Sequence, residues 1–231
     1  MTDTDLIPVD APRHVVAIVN PASGSKKGQL VIERLREIRS PRISLYVTTP
    51  DFDFAAAIRE GVANGADRIL VGGGDGTLME GVSGAQRALG KEMLPFAWIP
   101  VGTGNVVSGF LGIPHRLDQA VRLALGPGAL RHIDLARVDD RCSVLRVSTG
   151  FEAEVAFNVT RADKDRLGLL AYGLSGLRSL RQTRPVEYLI SLDGQPPIHV
   201  EGIMAFVTAT GALTWINGIS VINEAIQPDD G

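Results

Sequence analysis

Arg68-Ile69-Leu70-Val71-Gly72-Gly73-Gly74-Asp75-Gly76-Thr77 runs from a short apolar segment into three glycines and then into polar residues. An apolar run of this length fits a strand covered on both faces. Glycines directly behind it permit the close backbone approaches that a strand-to-helix junction needs. A helix is predicted from about Thr77 to Leu89. Working outward, His14–Val19 and Ile43–Thr49 read as strands, and Gln29–Arg39 reads as a helix with Val31, Leu35 and Ile38 on one face. Phe54, Ala57, Ile58 and Val62 mark another helix, with Asp51 or Asp53 as its cap. Phe96–Val101 is a fourth strand, and it too breaks into glycines at Gly102-Thr103-Gly104. Repeated strand–loop–helix units predict an α/β fold with a parallel sheet flanked by helices.

After Gly126-Pro127-Gly128 the pattern changes. Arg131–Val138, Cys142–Ser148, Val186–Leu192 and Ile198–Thr208 read as strands, interrupted by a helix at about Lys164–Arg181. Asp193-Gly194 lies between two of these strands and signals a hairpin. The expected organisation is a flexible leader over 1–12, a ligand-binding α/β domain over 13–127, and a smaller β-rich sandwich domain over 128–231.

The chain has 231 residues, a formal net charge of −3 and a single cysteine, Cys142. No global basic field argues for nucleic acid. One cysteine excludes an internal disulfide and a Cys-rich zinc site, and suits a reducing, cytoplasmic setting. Residues 1–12 contain no apolar core of a signal peptide. Gly202–Ile222 carries no charged residue, but its threonines and spaced glycines predict two buried strands joined by a turn rather than a membrane span.

Three of the four strands end in small polar residues, at the sheet edge where open α/β folds bind ligands. The first loop is Asn20-Pro21-Ala22-Ser23-Gly24-Ser25-Lys26-Lys27-Gly28, the second Gly72 to Thr77, the third Pro100-Val101-Gly102-Thr103-Gly104-Asn105. Glycines let backbone N–H groups approach a ligand, and a helix N-terminus favours phosphate oxygens. Ser23, Thr103 and Asn105 add donors. Asp75 would accept from a hydroxyl or help to hold Mg²⁺. The plainer reading of each loop alone is a tight strand-to-helix turn. No Walker A, no Rossmann G-x-G-x-x-G, no G-x-S-x-G and no H-E-x-x-H pattern is present.

Together the loops resemble the NPxSGxxxG, GGDGT and PxGTxN motifs, in that order, of the catalytic domain shared by diacylglycerol kinases, sphingosine kinases and related bacterial lipid kinases. Gly150-Phe151-Glu152-Ala153-Glu154-Val155 resembles a further GFDAEV element. The resemblance implies ATP and Mg²⁺ as cofactors and a lipid hydroxyl as acceptor. It implies ATP contacts at Asn20, Ser23, Gly24, Thr48, Gly72, Gly73, Gly74, Asp75, Gly76, Thr77, Leu78, Gly102, Thr103, Gly104 and Asn105, with Asp230 of a DDG-like ending near the metal. The family's general base comes from a later DGE element, expected beyond Gly231, so the second domain is expected to lack its C-terminal part. A basic face between Arg161 and Arg184 would suit peripheral contact with an anionic membrane. Oligomeric state stays open, a homo-oligomer included. Two other readings also stay open: an NAD kinase, which shares GGDGT and to which Asn223-Glu224 would belong, and a nucleotide-binding module without turnover.

Overall fold

A computed structural model describes residues 6–151, 153, 183–209, 215–216 and 219–220. These form two compact units, one reaching Leu145 and including Ala209, the other Arg146–Thr208.

The first unit is built on four parallel strands. β2 (His14–Val19) is flanked by β3 (Arg42–Val47) and β4 (Arg68–Gly73), and β5 (Phe96–Pro100) completes the order β3-β2-β4-β5. Every residue of β2 and β4 is buried, which is why both read as unbroken apolar runs rather than alternating ones. Val15, Ala17 and Val19 of β2 face one layer, formed by α1 (Ser23–Arg36) and α5 (Leu117–Leu125). Val16 and Ile18 face the other, formed by α2 (Phe54–Ala63) and the start of a cluster with Ala85 of α3 (Asp75–Leu89). The predicted parallel sheet flanked by helices is therefore the arrangement observed.

Local sequence accounts for the helix junctions. Asp53 caps α2 by accepting from the Ala56 N–H at 3.0 Å. Gly84 of α3 lies against Phe54 and the backbone of Ala55, where a side chain would not fit. Such contacts let α2 and α3 pack closely on one face. α5 and the short α4 (Val106–Leu111) were not anticipated, although Ala120, Val121, Ala124 and Leu125 are buried at helical spacing.

Several expectations need correction. Residues 7–9 of the predicted leader form β1 (Ile7–Val9), which pairs antiparallel with β6 (Gly128–Leu130). The apolar residues of this segment find a partner strand far along the chain, which no local pattern reveals. Arg131–Val138 is not one strand. β7 (Ala136–Val138) forms a hairpin with β8 (Arg141–Ser143). β6 to β8 lie in the first unit, because Cys142 and Val144 pack against Leu78 and Val82 of α3. Ser83 Oγ donates to the Cys142 carbonyl at 3.3 Å and accepts its N–H at 2.8 Å.

In the second unit, β10 (Val186–Ile190) and β11 (Ile198–Gly202) form the antiparallel hairpin. Asp193 and Gly194 both have positive φ at its turn, as their residue types suggested. The predicted strand Ile198–Thr208 divides at Ile203, because β12 (Met204–Thr208) changes partner and pairs with β9 (Arg146–Gly150). β12 is not fully buried: Val207 is 67% exposed. Beyond it in the chain, and belonging to the first unit, β13 (Trp215–Ile216) pairs with β14 (Ile219–Ser220). Among the described residues no helix is long and apolar enough to cross a membrane. The predicted helix at 164–181, most of the basic stretch from 161 to 184, Asn223-Glu224 and the DDG-like ending lie outside the described residues.

Candidate functional site

The three loops leave the carboxyl ends of β2, β4 and β5, and their backbones interlock. Asn20 is the first link. Its N–H donates to the Gly72 carbonyl at 2.9 Å, its side-chain oxygen accepts from Ala22 N–H at 3.0 Å, and its Nδ2 donates to Thr77 Oγ1 at 3.3 Å. One residue thus joins the end of β2 to the end of β4 and the first turn of α3. Ser23, half-buried, donates its N–H to the Asn20 carbonyl at 3.3 Å.

Gly24, Ser25 and Lys26 are left-handed, with φ of 57°, 54° and 76°, so regular helical geometry in α1 starts only after them. A side chain on Gly24 would run into the carbonyl of Val101, and one on Gly28 into the carbonyl of Asn20. The glycines of the first loop are therefore required by its packing against the third loop and against its own start.

The second loop is held by its carbonyls. Gly73 O accepts from Val101 N–H at 3.0 Å and from the buried indole Nε1–H of Trp98 at 3.1 Å. Gly74 is extended, caps α3 without a side chain, and faces the backbone of Gly102. The first N–H groups of α3 are thereby left without a side-chain cap. Leu78 N–H bonds back to Gly74 O at 3.0 Å. Gly76 is exposed, with nothing within 4 Å of where a side chain would stand.

Asn105 organises the third loop. It is 6% exposed and left-handed at φ 50°. Its side chain accepts from Gly102 N–H and donates to Gly102 O, both at 2.8 Å. That side chain cannot also cap α4. Asp75 takes over: its Oδ1 accepts from Val107 N–H at 3.3 Å, which ties the second loop to the helix after the third. Ser108 Oγ donates to the Asn105 carbonyl at 2.6 Å. Its single proton used, it accepts from Nε2–H of His115 at 3.0 Å. Thr103 and Gly104 stay exposed.

Of the residues named from the sequence, those of the three loops meet at one sheet edge, and Thr48 reaches it from β3 by donating its N–H to Val19 O at 3.0 Å. Leu78 differs. Its side chain is 4% exposed and belongs to the core with Val71 and Trp98, which leaves no side-chain surface for a ligand. Asp230 lies outside the described residues, and among those described no group of three His, Cys, Asp or Glu could hold a metal ion. Trp98 and Ser108 were missed. A Trp within an apolar strand needs a partner for its N–H, and that was the available signal for Trp98. His14 is a structural residue, placed between Asn64 O at 3.2 Å and Ser44 Oγ at 2.9 Å.

Chemically, the edge offers exposed glycine backbone, a helix N-terminus without a side-chain cap, and the hydroxyl of Thr103, with the exposed Lys26 and Lys27 on the first loop. This set suits a polyanion.

The family model of the diacylglycerol kinase catalytic domain matches residues 14–138. The chain is 32% identical over 181 residues to the diacylglycerol kinase of Bacillus subtilis strain 168, covering 77% of this chain and 59% of that protein. It is 31% identical over 165 residues to "Probable lipid kinase YegS" of Salmonella arizonae, covering 70% and 54%. A crystal structure of a diacylglycerol kinase from Bacillus anthracis str. Sterne superposes with a TM-score of 0.68 at 25% identity, covering 95% of this chain and 71% of that one. The chain spans about half the length of the curated relatives it matches.

Proposed function

The chain belongs to the diacylglycerol kinase catalytic domain family, and we propose from that premise that it serves ATP-dependent phosphorylation of a lipid hydroxyl, with diacylglycerol as the first acceptor to test. The observation that carries this reading is the interlock of the loops around Asn20, Gly74 and Gly102, which leaves their outer backbone free for phosphate groups.

In the reaction, the acceptor oxygen forms a bond to the γ-phosphorus, the bond from that phosphorus to the β–γ bridging oxygen breaks, and the hydroxyl proton passes to a base. Catalysis of this kind rests on positioning and on neutralising charge. The uncapped first turn of α3 and the exposed backbone at Thr103 and Gly104 are suited to hold phosphate oxygens, and Thr103 adds a hydroxyl donor. Interlocked loops are held in place before ligand arrives, which limits the ordering cost of binding. Mg²⁺ supplies charge neutralisation when bound, and it ordinarily uses one or two carboxylates beside phosphate oxygens and water. Asp75, with one oxygen engaged by Val107, and Asp230 are the residues that would hold it.

Calorimetry with ATP and Mg²⁺, beside transfer of radiolabelled γ-phosphate to diacylglycerol in mixed micelles, tests the reading. Binding of ATP with labelling of the lipid supports it. ATP binding without transfer makes the chain a nucleotide-binding module, labelled NAD⁺ makes it an NAD kinase, and failure to bind ATP removes the reading altogether.

A further inference from the structure

At the opposite end of the sheet, about 20 Å away along β3 at ~3.3 Å per residue, a cavity of about 340 Å³ opens between the end of α1 and the start of β3. Its floor is apolar and half-buried, with Ile38, Pro41 and Leu45. Its rim carries Arg36, Arg39 and Arg42, all exposed. Of the acidic groups nearby, Glu37 and Asp118 both pair with Arg34, at 3.0 and 3.3 Å, and Glu33 on α1 makes no ion pair with the rim arginines. No ion pair neutralises Arg36, Arg39 or Arg42 among the described residues. Arg36 stands in the last turn of α1, where a cation also offsets the helix dipole. Arg39 and Arg42 lie beyond the helix, so that role does not account for them.

Three guanidinium groups around an apolar floor select for a ligand with both characters. Guanidinium forks bind phosphate or carboxylate oxygens in pairs, and the volume is at the lower end of small-molecule sites. We infer that this cavity binds an amphiphilic anion, its phosphate or carboxylate on Arg36, Arg39 and Arg42 and its first few carbons on Ile38, Pro41 and Leu45. The ligand is either a free monoalkyl anion or the headgroup region of an anionic lipid. The inference does not depend on the kinase reading, since none of these residues lies near the glycine loops.

The test uses n-hexyl phosphate, inorganic phosphate and lipid vesicles with the whole chain and with the triple variant Arg36→Gln, Arg39→Gln, Arg42→Gln. Hexyl phosphate should bind the wild type, inorganic phosphate at least tenfold more weakly, and the triple variant should lose at least tenfold in hexyl phosphate affinity with an unchanged Tm. ATP should not displace it. The variant Ile38→Asp, which puts a negative charge on the floor, should weaken hexyl phosphate binding in the same direction. Loss of binding to phosphatidylglycerol vesicles in the triple variant, with phosphatidylcholine vesicles bound by neither protein, identifies a bilayer lipid as the source. Hexyl phosphate binding without vesicle binding identifies a free amphiphile. Hexyl phosphate affinity untouched by the triple substitution, competition by ATP, or no binding of either probe overturns the inference.

Discussion

Gly74 and Gly102 lie backbone against backbone: a side-chain carbon built on Gly74 would stand 3.1 Å from the Cα of Gly102. The second and third loops meet there with no side chain between them. A methyl on Gly102 would also approach Asn105 Oδ1 at 2.8 Å, the atom that receives its own N–H.

Gly102→Ala should therefore force the two loops apart. Overpacking of this kind costs about 1–3 kcal/mol, and ATP affinity should fall at least tenfold. Gly76→Ala is the matched control, because open space surrounds that position. Its stability should remain within about 0.5 kcal/mol of wild type. Urea unfolding of both variants and ATP titration of Gly102→Ala check this, and equal stability of the two variants would contradict it.

Asn105→Ala removes both hydrogen bonds to Gly102 and leaves an alanine in the left-handed region. With about 1 kcal/mol for each neutral hydrogen bond and about 1 kcal/mol for the backbone, the expected loss is about 3 kcal/mol. Asn105→Gly should recover the backbone part alone and fall between. The order of the three unfolding midpoints is the measurement.

Arg68 opens the deciding stretch yet is 6% exposed. It donates to three carbonyls: Ala124 at 2.8 Å, Gly126 at 2.9 Å and Asp10 at 2.8 Å. It thereby pins β4 to the end of α5 and to the segment after β1. Arg68→Met keeps the aliphatic bulk and deprives these carbonyls of a donor, so a loss of about 2–4 kcal/mol is expected from the unmade hydrogen bonds. Chemical denaturation reports it, and proteolysis near residue 10 should accelerate.

Asp67 should make stability depend on acid. Burial would raise its carboxyl, but hydrogen bonds from Arg13 N–H and His14 N–H, with the Arg13 guanidinium, outweigh that and hold it below the usual aspartate range. A carboxyl lowered in the folded state stabilises at pH values above its unfolded pKa of about 3.9, and the contribution is lost as pH falls through the folded value. Asp67→Asn should accordingly be less stable than wild type at pH 7 by about 1 kcal/mol, with the gap closing as pH falls below about 4. Urea midpoints across pH 2.5 to 7, at roughly half-unit steps, would show whether the curves converge.

Much of the architecture was legible in the chain because its signals are local. The buried runs of β2 and β4, the glycines that end β4 and follow β5, and the helical spacing of Val31 and Leu35 are all properties of neighbours within a few residues. Those features placed the parallel sheet and pointed to its carboxyl edge. The hairpin at Asp193-Gly194 was legible for the same reason, since positive φ is a preference of the residues themselves.

What tertiary structure alone decided involves partners far apart in the chain. β1 finds β6, Cys142 finds Ser83, and the strand from Ile198 divides because β12 pairs with β9. In the candidate site, residue types suggested contacts for a ligand, but folding spends several of them on the protein: Asn105 on Gly102, one oxygen of Asp75 on Val107, Leu78 on the core. Backbone hydrogen-bonding preferences are short-ranged and can be read along the chain. Which polar group is consumed by which distant partner depends on three-dimensional proximity, and that arises only when the loops close on one another.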